Sequence, residues 1–331
     1  MKLLSYKTEN IEHLAIYVKG HIYNLNSCDK NIPDNMREFL IGEAPMMKRA
    51  HIVEEKILSG EKFKEEVFYE VIAPIPHPTS CRDAYAFRQH VAAARRNRKV
   101  EMIPEFDQYP IFYFTNHNAI QGPGEIKCMP DHFQKLDFEL EVAVVIGKRG
   151  RNIKAENADE YIAGFTIMND MSARLLQMEE MKLNLGPAKG KDFSTVIGPW
   201  LVTPDELEKY KVPAKENHVG NNYDLQMSCK VNGVQVSAGN VKDMDWTFAE
   251  IIERCAYGAD ILPGDVIGSG TVGTGCFLEL NGTGLLNNPD YKAQWLQPND
   301  SIEMGITGLG ILANVIKKED TDFSILELKK V

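Results

Sequence analysis

No run of apolar residues in this chain approaches the roughly 18 to 20 needed to cross a bilayer, and the start, Met1 to Asn10, lacks the apolar stretch and small-residue cleavage site of a signal peptide. A membrane partner is not expected, and the expected compartment is the cytoplasm. Cysteine is sparse and scattered, at positions 28, 81, 128, 229, 255 and 276, with no C-x-x-C pair and no His/Cys cluster at zinc-finger spacing. All six read as reduced thiols. Positive charge is in deficit, with 37 Lys and Arg against 47 Asp and Glu and a formal net charge of −10. Phosphate backbones are therefore repelled, and a nucleic-acid partner is not expected. Internal repeats and low-complexity tracts are absent too. What is present is a globular composition, 44% hydrophobic and 25% charged over 331 residues, enough for two domains or one large domain with an appendage.

Apolar and polar residues alternate through Leu14 to Val18, turn at Lys19-Gly20 and resume from His21 to Leu25, which predicts a hairpin. Helical spacing follows over Asn35 to Leu40 and Met46 to Ser59, ending at Gly60. Pro74, Pro76 and Pro78 then hold Ala73 to Thr79 extended, as a connector. We place a domain boundary near residue 70, dividing the chain into 1–70 and 71–331. From Asp137 onward the pattern is mostly β, with strands expected near 138–147, 161–169, 225–231, 234–237, 265–270 and 276–281. Asn232-Gly233 marks a two-residue hairpin turn, and a capping box of Thr247 with Glu250 opens a helix to Tyr257. The fold class read here is α+β, mostly β.

The segment richest in chemistry is Leu136-Asp-Phe-Glu-Leu-Glu-Val-Ala-Val-Val-Ile-Gly147. On a strand of period two, Asp137, Glu139 and Glu141 share one face. That pattern suits the solvated face of an edge strand. It also suits a bound cation, because Val142 to Ile146 is apolar on both faces, as in a strand buried on both sides. Burying neighbouring carboxylates without a cation costs several kcal/mol per ion, and oxygen-only ligands favour a hard ion such as Mg²⁺ or Ca²⁺. A second segment, Ile167 to Gln177, ends an apolar strand at Asn169-Asp170, and on the helix expected after it Arg174 and Gln177 project from one face. The plainer reading of that segment is an N-cap Asp followed by a surface Arg. A third, Cys81 to His90, holds Asp83, Tyr85 and His90; were it helical, Asp83 and His90 would lie two turns apart on one side. Gly268-Ser-Gly-Thr-Val-Gly273 matches G-x-G-x-x-G, but Thr274 to Asn281 reads as β, so a nucleotide would find no helix N-terminus. These glycines read as tight turns.

Taken together, residues 71–331 resemble the fumarylacetoacetate hydrolase family, with its motifs in order: Asp83-Ala-Tyr85 and Arg88-Gln-His90, Glu139-Leu-Glu141, Asn169-Asp-Met-Ser-Ala-Arg174 with Gln177, Gly190-Lys-Asp-Phe193 leading to Thr195 and Gly198-Pro-Trp200, Ser269-Gly-Thr271, and Leu278-Glu-Leu280. The resemblance implies a mixed β-roll core preceded by a small β-containing domain, usually as a homodimer. It implies one Mg²⁺ or Ca²⁺ held by Asp83, Glu139, Glu141 and Asp170, with Lys191 and Thr195 behind these ligands. It further implies His90 as a base oriented by Glu279, with Lys191, Arg174 and Gln177 around the reacting carbonyl and Tyr85, Arg174, Gln177, Thr271 and Tyr113 on the substrate. Arg95, Arg96, Arg98 and Lys99 are the candidates to meet a distal substrate carboxylate. The chain departs from the family over Val91 to Lys99 and over Met178 to Asn184, where the family's tyrosine has no counterpart.

The activity so implied is hydrolysis of a carbon–carbon bond in a 1,3-diketo acid, with fumarylacetoacetate cleaved to fumarate and acetoacetate in tyrosine and phenylalanine catabolism as the first expectation. The same chemistry serves acylpyruvases, 2-oxo acid decarboxylases and hydratases, which are the alternative. A noncatalytic ion-stabilised binding protein would keep the four carboxylates but need no His90, Lys191 or Arg174. The partner expected is a small diketo or oxo acid.

Overall fold

The opening alternation builds an antiparallel meander, Lys2–Thr8, Ile11–Val18 and His21–Asn24, in the computed structural model, which describes residues 1–330. Its predicted turn is made by Lys19 and Gly20, both at positive φ (49° and 95°), as a two-residue hairpin loop requires. Asn35 caps the helix Met36–Ile41 by accepting the Glu38 N–H at 2.9 Å, and Glu43–Leu58 comes next. The meander does not stand apart from the rest of the chain. Lys2 and Leu3 pair with Val202 and Leu201 of the strand Thr195–Val202, and Leu3, Leu14, Ile16 and Phe39 pack in one apolar cluster with Ala143, Val145, Ile197 and Val266.

The large sheet therefore runs from His21–Asn24 through Ile11–Val18, Lys2–Thr8, Thr195–Val202, Ile162–Asp170, Leu140–Ile146 and Val266–Gly268 to Cys81–Ala84 and Phe112–Thr115. Along this path only Val266–Gly268 and Cys81–Ala84 pair in parallel. A second sheet orders Val234–Asn240, Gln226–Val231, Ser301–Ile306, Gly310–Lys318 and Gly124–Cys128. Its first hairpin turns at Asn232 and Gly233, again both at positive φ. Leu140–Ile146 lies between two cores. Val142, Val144 and Ile146 face Met227, Met304 and the helix Phe248–Ala256, whereas Ala143 and Val145 face the N-terminal cluster. Burial on both sides explains why this stretch is apolar on both faces. The capping box of Thr247 and Glu250 is present. All six cysteines are free, and among the described residues no helix is long and apolar enough to cross a membrane.

Three expectations need correction. The strand expected over 138–147 starts at Leu140; Leu136–Asp137 is a separate short strand paired with Ser172–Ala173. Cys81 to His90 is not one helix, because Asp83 ends up in a strand and His90 in the helix Arg88–Asn97. The strand expected over 276–281 is the start of a helix, Phe277–Asn287. The Leu278-Glu-Leu280 alternation mimics a strand, and Gly282 and Gly284 weaken the helical signal. The cap comes from elsewhere: Cys276 offers no side-chain cap, and the N–H groups of Phe277 and Leu278 donate to the carboxylate of Asp137, 2.7 and 2.9 Å away. The glycine loop 268–273 is thus followed by a helix after all, but that helix N-terminus is already occupied by Asp137.

Candidate active site

Sheet register gathers the carboxylates. Asp83 stands opposite Gly268 and Gly268 opposite Ala143, while Asp170 closes its strand opposite Thr195. Asp170, Glu141 and Asp83 thereby come from strands on either side of a position that carries no side chain. A Cβ on Gly268 would lie 2.5 Å from Oδ1 of Asp83 and 2.9 Å from Oε2 of Glu141, so only glycine lets these carboxylates converge. Glu139 joins them from the break between Leu136–Asp137 and Leu140–Ile146. Asp83, Glu139 and Glu141 each present an oxygen within 4.8 Å of the others.

Two cations answer this negative charge in part. The Lys191 ammonium donates to Oδ2 of Asp170 at 2.8 Å and to Oε2 of Glu139. Arg174, fully buried rather than on the surface, donates to Oε1 of Glu139 (2.7 Å), Oδ2 of Asp137 (2.8 Å) and Oε1 of Gln177 (2.9 Å). The helix it opens begins at Arg174, so Asp170 is the last residue of a strand and not an N-cap. Burial alone would raise Glu139, but the Lys191 and Arg174 charges outweigh it and hold the carboxyl below its ordinary value. The remaining three are held above theirs. Burial, then the Asp170 charge, pushes Asp83 up to about 7; burial, then Asp83, raises Glu141 far; burial outweighs Lys191 at Asp170. Oε2 of Glu141, Oδ1 of Asp170 and Oγ1 of Thr195 are buried with no hydrogen-bond partner. Unpartnered carboxylate oxygens from two different strands, in an oxygen-only donor set still short of positive charge, fit a hard divalent cation. Asp83, Glu139 and Glu141 converge for it, whereas Asp170, the fourth expected ligand, stands outside that group with its Oδ2 engaged by Lys191 and Tyr113.

The second half of the site is a dyad. Nδ1 of His90 lies 2.6 Å from Oε2 of Glu279, whose Oε1 accepts the Thr274 N–H at 3.0 Å. The two residues come from helices that pack closely: Asn97 donates to the Glu279 carbonyl at 3.0 Å, and a Cβ on Gly282 would strike the Asn97 side chain. Both halves open on one cavity of about 750 Å³. Tyr85 sits at its wall with its ring 6.0 Å from that of His90. Burial pushes the Tyr85 phenol up to about 12 against the opposing charge of Arg98. Gln177, Lys191 and Thr271 face the same cavity, and so does Tyr113, whose hydroxyl donates to Oδ2 of Asp170 at 2.5 Å. The Thr271 hydroxyl donates to Oε1 of Glu141 at 3.4 Å. Thr195 pairs with Asp170 across the sheet, but its hydroxyl makes no hydrogen bond to the cluster. Of the four candidate cations on the helix Arg88–Asn97 and just after it, Arg95 and Arg98 line the cavity, whereas Arg96 donates to Thr283.

Asp137 has a role that its sequence neighbourhood does not announce. Its buried carboxylate holds Arg174 on one side and the helix of Glu279 on the other, so it positions both halves at once. The only signal was its shared face with Glu139 and Glu141.

The family described as fumarylacetoacetate (FAA) hydrolase C-terminal matches residues 79–317. The chain belongs to that family. Among curated relatives of this hydrolase family, the human protein "Oxaloacetate tautomerase FAHD2A, mitochondrial" is 28% identical over 323 residues, covering 96% of this chain and 91% of its own. Among solved structures, a fumarylacetoacetate hydrolase from Exiguobacterium antarcticum superposes with a TM-score of 0.67 at 24% identity, over 96% of this chain and 100% of that one. A maleylpyruvate hydrolase from Sphingobium sp. SYK-6, in complex with manganese(II) ion and pyruvate, gives 0.69 at 17% identity, over 97% and 100%. The fold is therefore that of the fumarylacetoacetate hydrolase family, with its mixed sheets and N-terminal strands, and the chain is an enzyme of that superfamily.

Proposed function

We propose that the chain hydrolyses a carbon–carbon bond in a 1,3-diketo acid, with fumarylacetoacetate as the first substrate to test, and that it needs a divalent metal. The observation that carries this reading is the His90–Glu279 pair, 2.6 Å apart and buried on the same cavity as Asp83 and Glu139 of the carboxylate cluster. Glu279 on Nδ1 leaves the other ring nitrogen to take a proton from water, and the carboxylate stabilises the imidazolium that results. Arg174, Gln177 and Lys191 face the cavity as donors for charge developing on the carbonyl oxygen. Arg95 and Arg98 are placed to receive a distal carboxylate. A bound Mg²⁺ or Ca²⁺, or the Mn²⁺ named for the maleylpyruvate hydrolase, would polarise the carbonyl and favour the departing enolate.

A second reading is keto–enol tautomerisation of oxaloacetate, favoured by the name of the human relative. It uses the same base to move a proton between carbon and oxygen without attack by water. Purified protein incubated with fumarylacetoacetate, an acylpyruvate and oxaloacetate, with and without chelator, separates these readings. Cleavage products support hydrolysis, and enol–keto conversion without cleavage overturns it. We also propose a homodimer and a cytoplasmic location, testable by light scattering and cell fractionation. The proposed division at residue 70 is testable by expressing 71–331, which keeps every site residue but loses the sheet neighbour of Thr195–Val202.

A further inference from the structure

We propose a second cation site at the wall of the cavity, made by His90 and Glu139, which line it, and by Cys276, buried behind them; this site selects a thiophilic ion of the zinc class and turns the enzyme off when filled. A ring nitrogen of His90, Sγ of Cys276 and a carboxylate oxygen of Glu139 lie within 4.8 Å of one another, and all three residues are buried. Zinc-ligand bonds of roughly 2.0 to 2.3 Å place such atoms somewhat closer than this, within reach of small side-chain adjustments. The orientation of His90 supports the assignment independently. Glu279 engages Nδ1 at 2.6 Å and is itself fixed by the Thr274 N–H, which leaves Nε2 available. A carboxylate on the far nitrogen is the arrangement that typically orients metal-ligating histidines.

The donor set differs in kind from the four carboxylates. Imidazole, thiol sulfur and one carboxylate prefer Zn²⁺ or Cd²⁺, whereas Mg²⁺ and Ca²⁺ prefer oxygen alone. Glu139 belongs to both groups, so the two ions would share a ligand. On binding, the Cys276 thiol gives its proton to solvent and forms the sulfur–metal bond, with no change of oxidation state. The His90 lone pair is taken up in the same event. Loss of activity rests on the reading of His90 as the base, whereas ion binding does not.

The probe is Cd²⁺ added to the full chain in excess Mg²⁺, read by sulfur-to-metal charge-transfer absorption in the ultraviolet, without substrate. One equivalent should produce the band in the wild type and in Cys28→Ser, but not in Cys276→Ser or Cys276→Ala. Zn²⁺ should inhibit the wild type, and the Cys276 variants should need at least the roughly 10- to 100-fold more ion typical of losing a supporting partner, while keeping their activity without zinc. A band unchanged by the Cys276 substitutions would overturn the site. So would zinc inhibition that excess Mg²⁺ relieves equally in wild type and variants, because zinc would then act at the carboxylates alone. Should the variants fail to fold, X-ray absorption of the zinc-loaded wild type decides: a sulfur neighbour supports the site and a shell without sulfur removes it. A Cd²⁺ band in a protein that cleaves no diketo acid would leave this site standing and remove the proposed activity.

Discussion

The two halves of the cavity are built by opposite means. The carboxylate half rests on hydrogen-bonded strands: Asp83, Glu141 and Asp170 are fixed by sheet register around Gly268, and their separation is set by the spacing of the ladder. The dyad half rests on two helices whose reactive residues are 189 positions apart and whose arrangement depends on side-chain contacts. A sheet tolerates the loss of one side chain without moving its neighbours, whereas a helix end held by one carboxylate does not. The joint between the halves is Asp137, which touches both.

Breaking the carboxylate half should have the largest effect. Chelation, or Glu141→Gln, should abolish turnover, with a loss exceeding the roughly 10² to 10⁴ of a missing general base. Full activity in protein shown by elemental analysis to hold no divalent ion would end the metal reading. Breaking the dyad comes next. His90→Ala should lower kcat by roughly 10² to 10⁴ while leaving binding of the hard ion, measured by calorimetry, nearly unchanged. On the proposed reading His90 and Glu279 act as a unit, so adding Glu279→Gln to His90→Ala should cost little more, and fully additive losses would show two independent roles.

The joint itself should give a smaller loss with a distinctive pattern. Asp137→Asn keeps the size but removes the charge facing Arg174, and an amide nitrogen cannot accept the helix N–H groups. A fall in kcat of roughly 10- to 100-fold is expected, below that of His90→Ala. In a double-mutant cycle Asp137→Asn should be strongly non-additive with both Arg174→Gln and Glu279→Gln. Coupling to only one of them would confine Asp137 to one half.

The smallest effect concerns stability. In metal-free protein Asp83 is held at about 7, against an ordinary value of 3.8, by burial and then by Asp170. Between those values the folded protein keeps a proton that the unfolded chain has released, so metal-free stability should fall as pH rises through this window. Urea midpoints of metal-free protein should therefore be lower at about pH 8 than at about pH 5, and added Mg²⁺ should raise the midpoint more at the higher pH. A metal-free midpoint that rises with pH would mean that the carboxylates do not share a buried site.

Two of the carboxylates were legible because their signal is local, whereas Asp83 and Asp170 entered through family resemblance. Period-two alternation put Glu139 and Glu141 together, apolar residues on both faces of Val142 to Ile146 announced burial, and that conflict called for a cation. The N-terminal hairpin, the Asn232-Gly233 turn and the Thr247–Glu250 cap were legible for the same reason, since each is settled among residues a few positions apart. The dyad entered through family resemblance, because nothing near His90 in sequence names Glu279 as its partner.

By itself the sequence determined the hairpins, the capped helices, the doubly buried strand and the residue types of the site. Only the tertiary structure decided that Phe277–Asn287 is a helix, that Arg174 lies buried between Asp137 and Glu139, and that Arg95 and Arg98 reach the cavity. The reason is the range of the interactions. A helix start whose free N–H groups are satisfied by Asp137, 140 residues away, leaves no local trace, since propensity and periodicity register only what neighbours along the chain contribute.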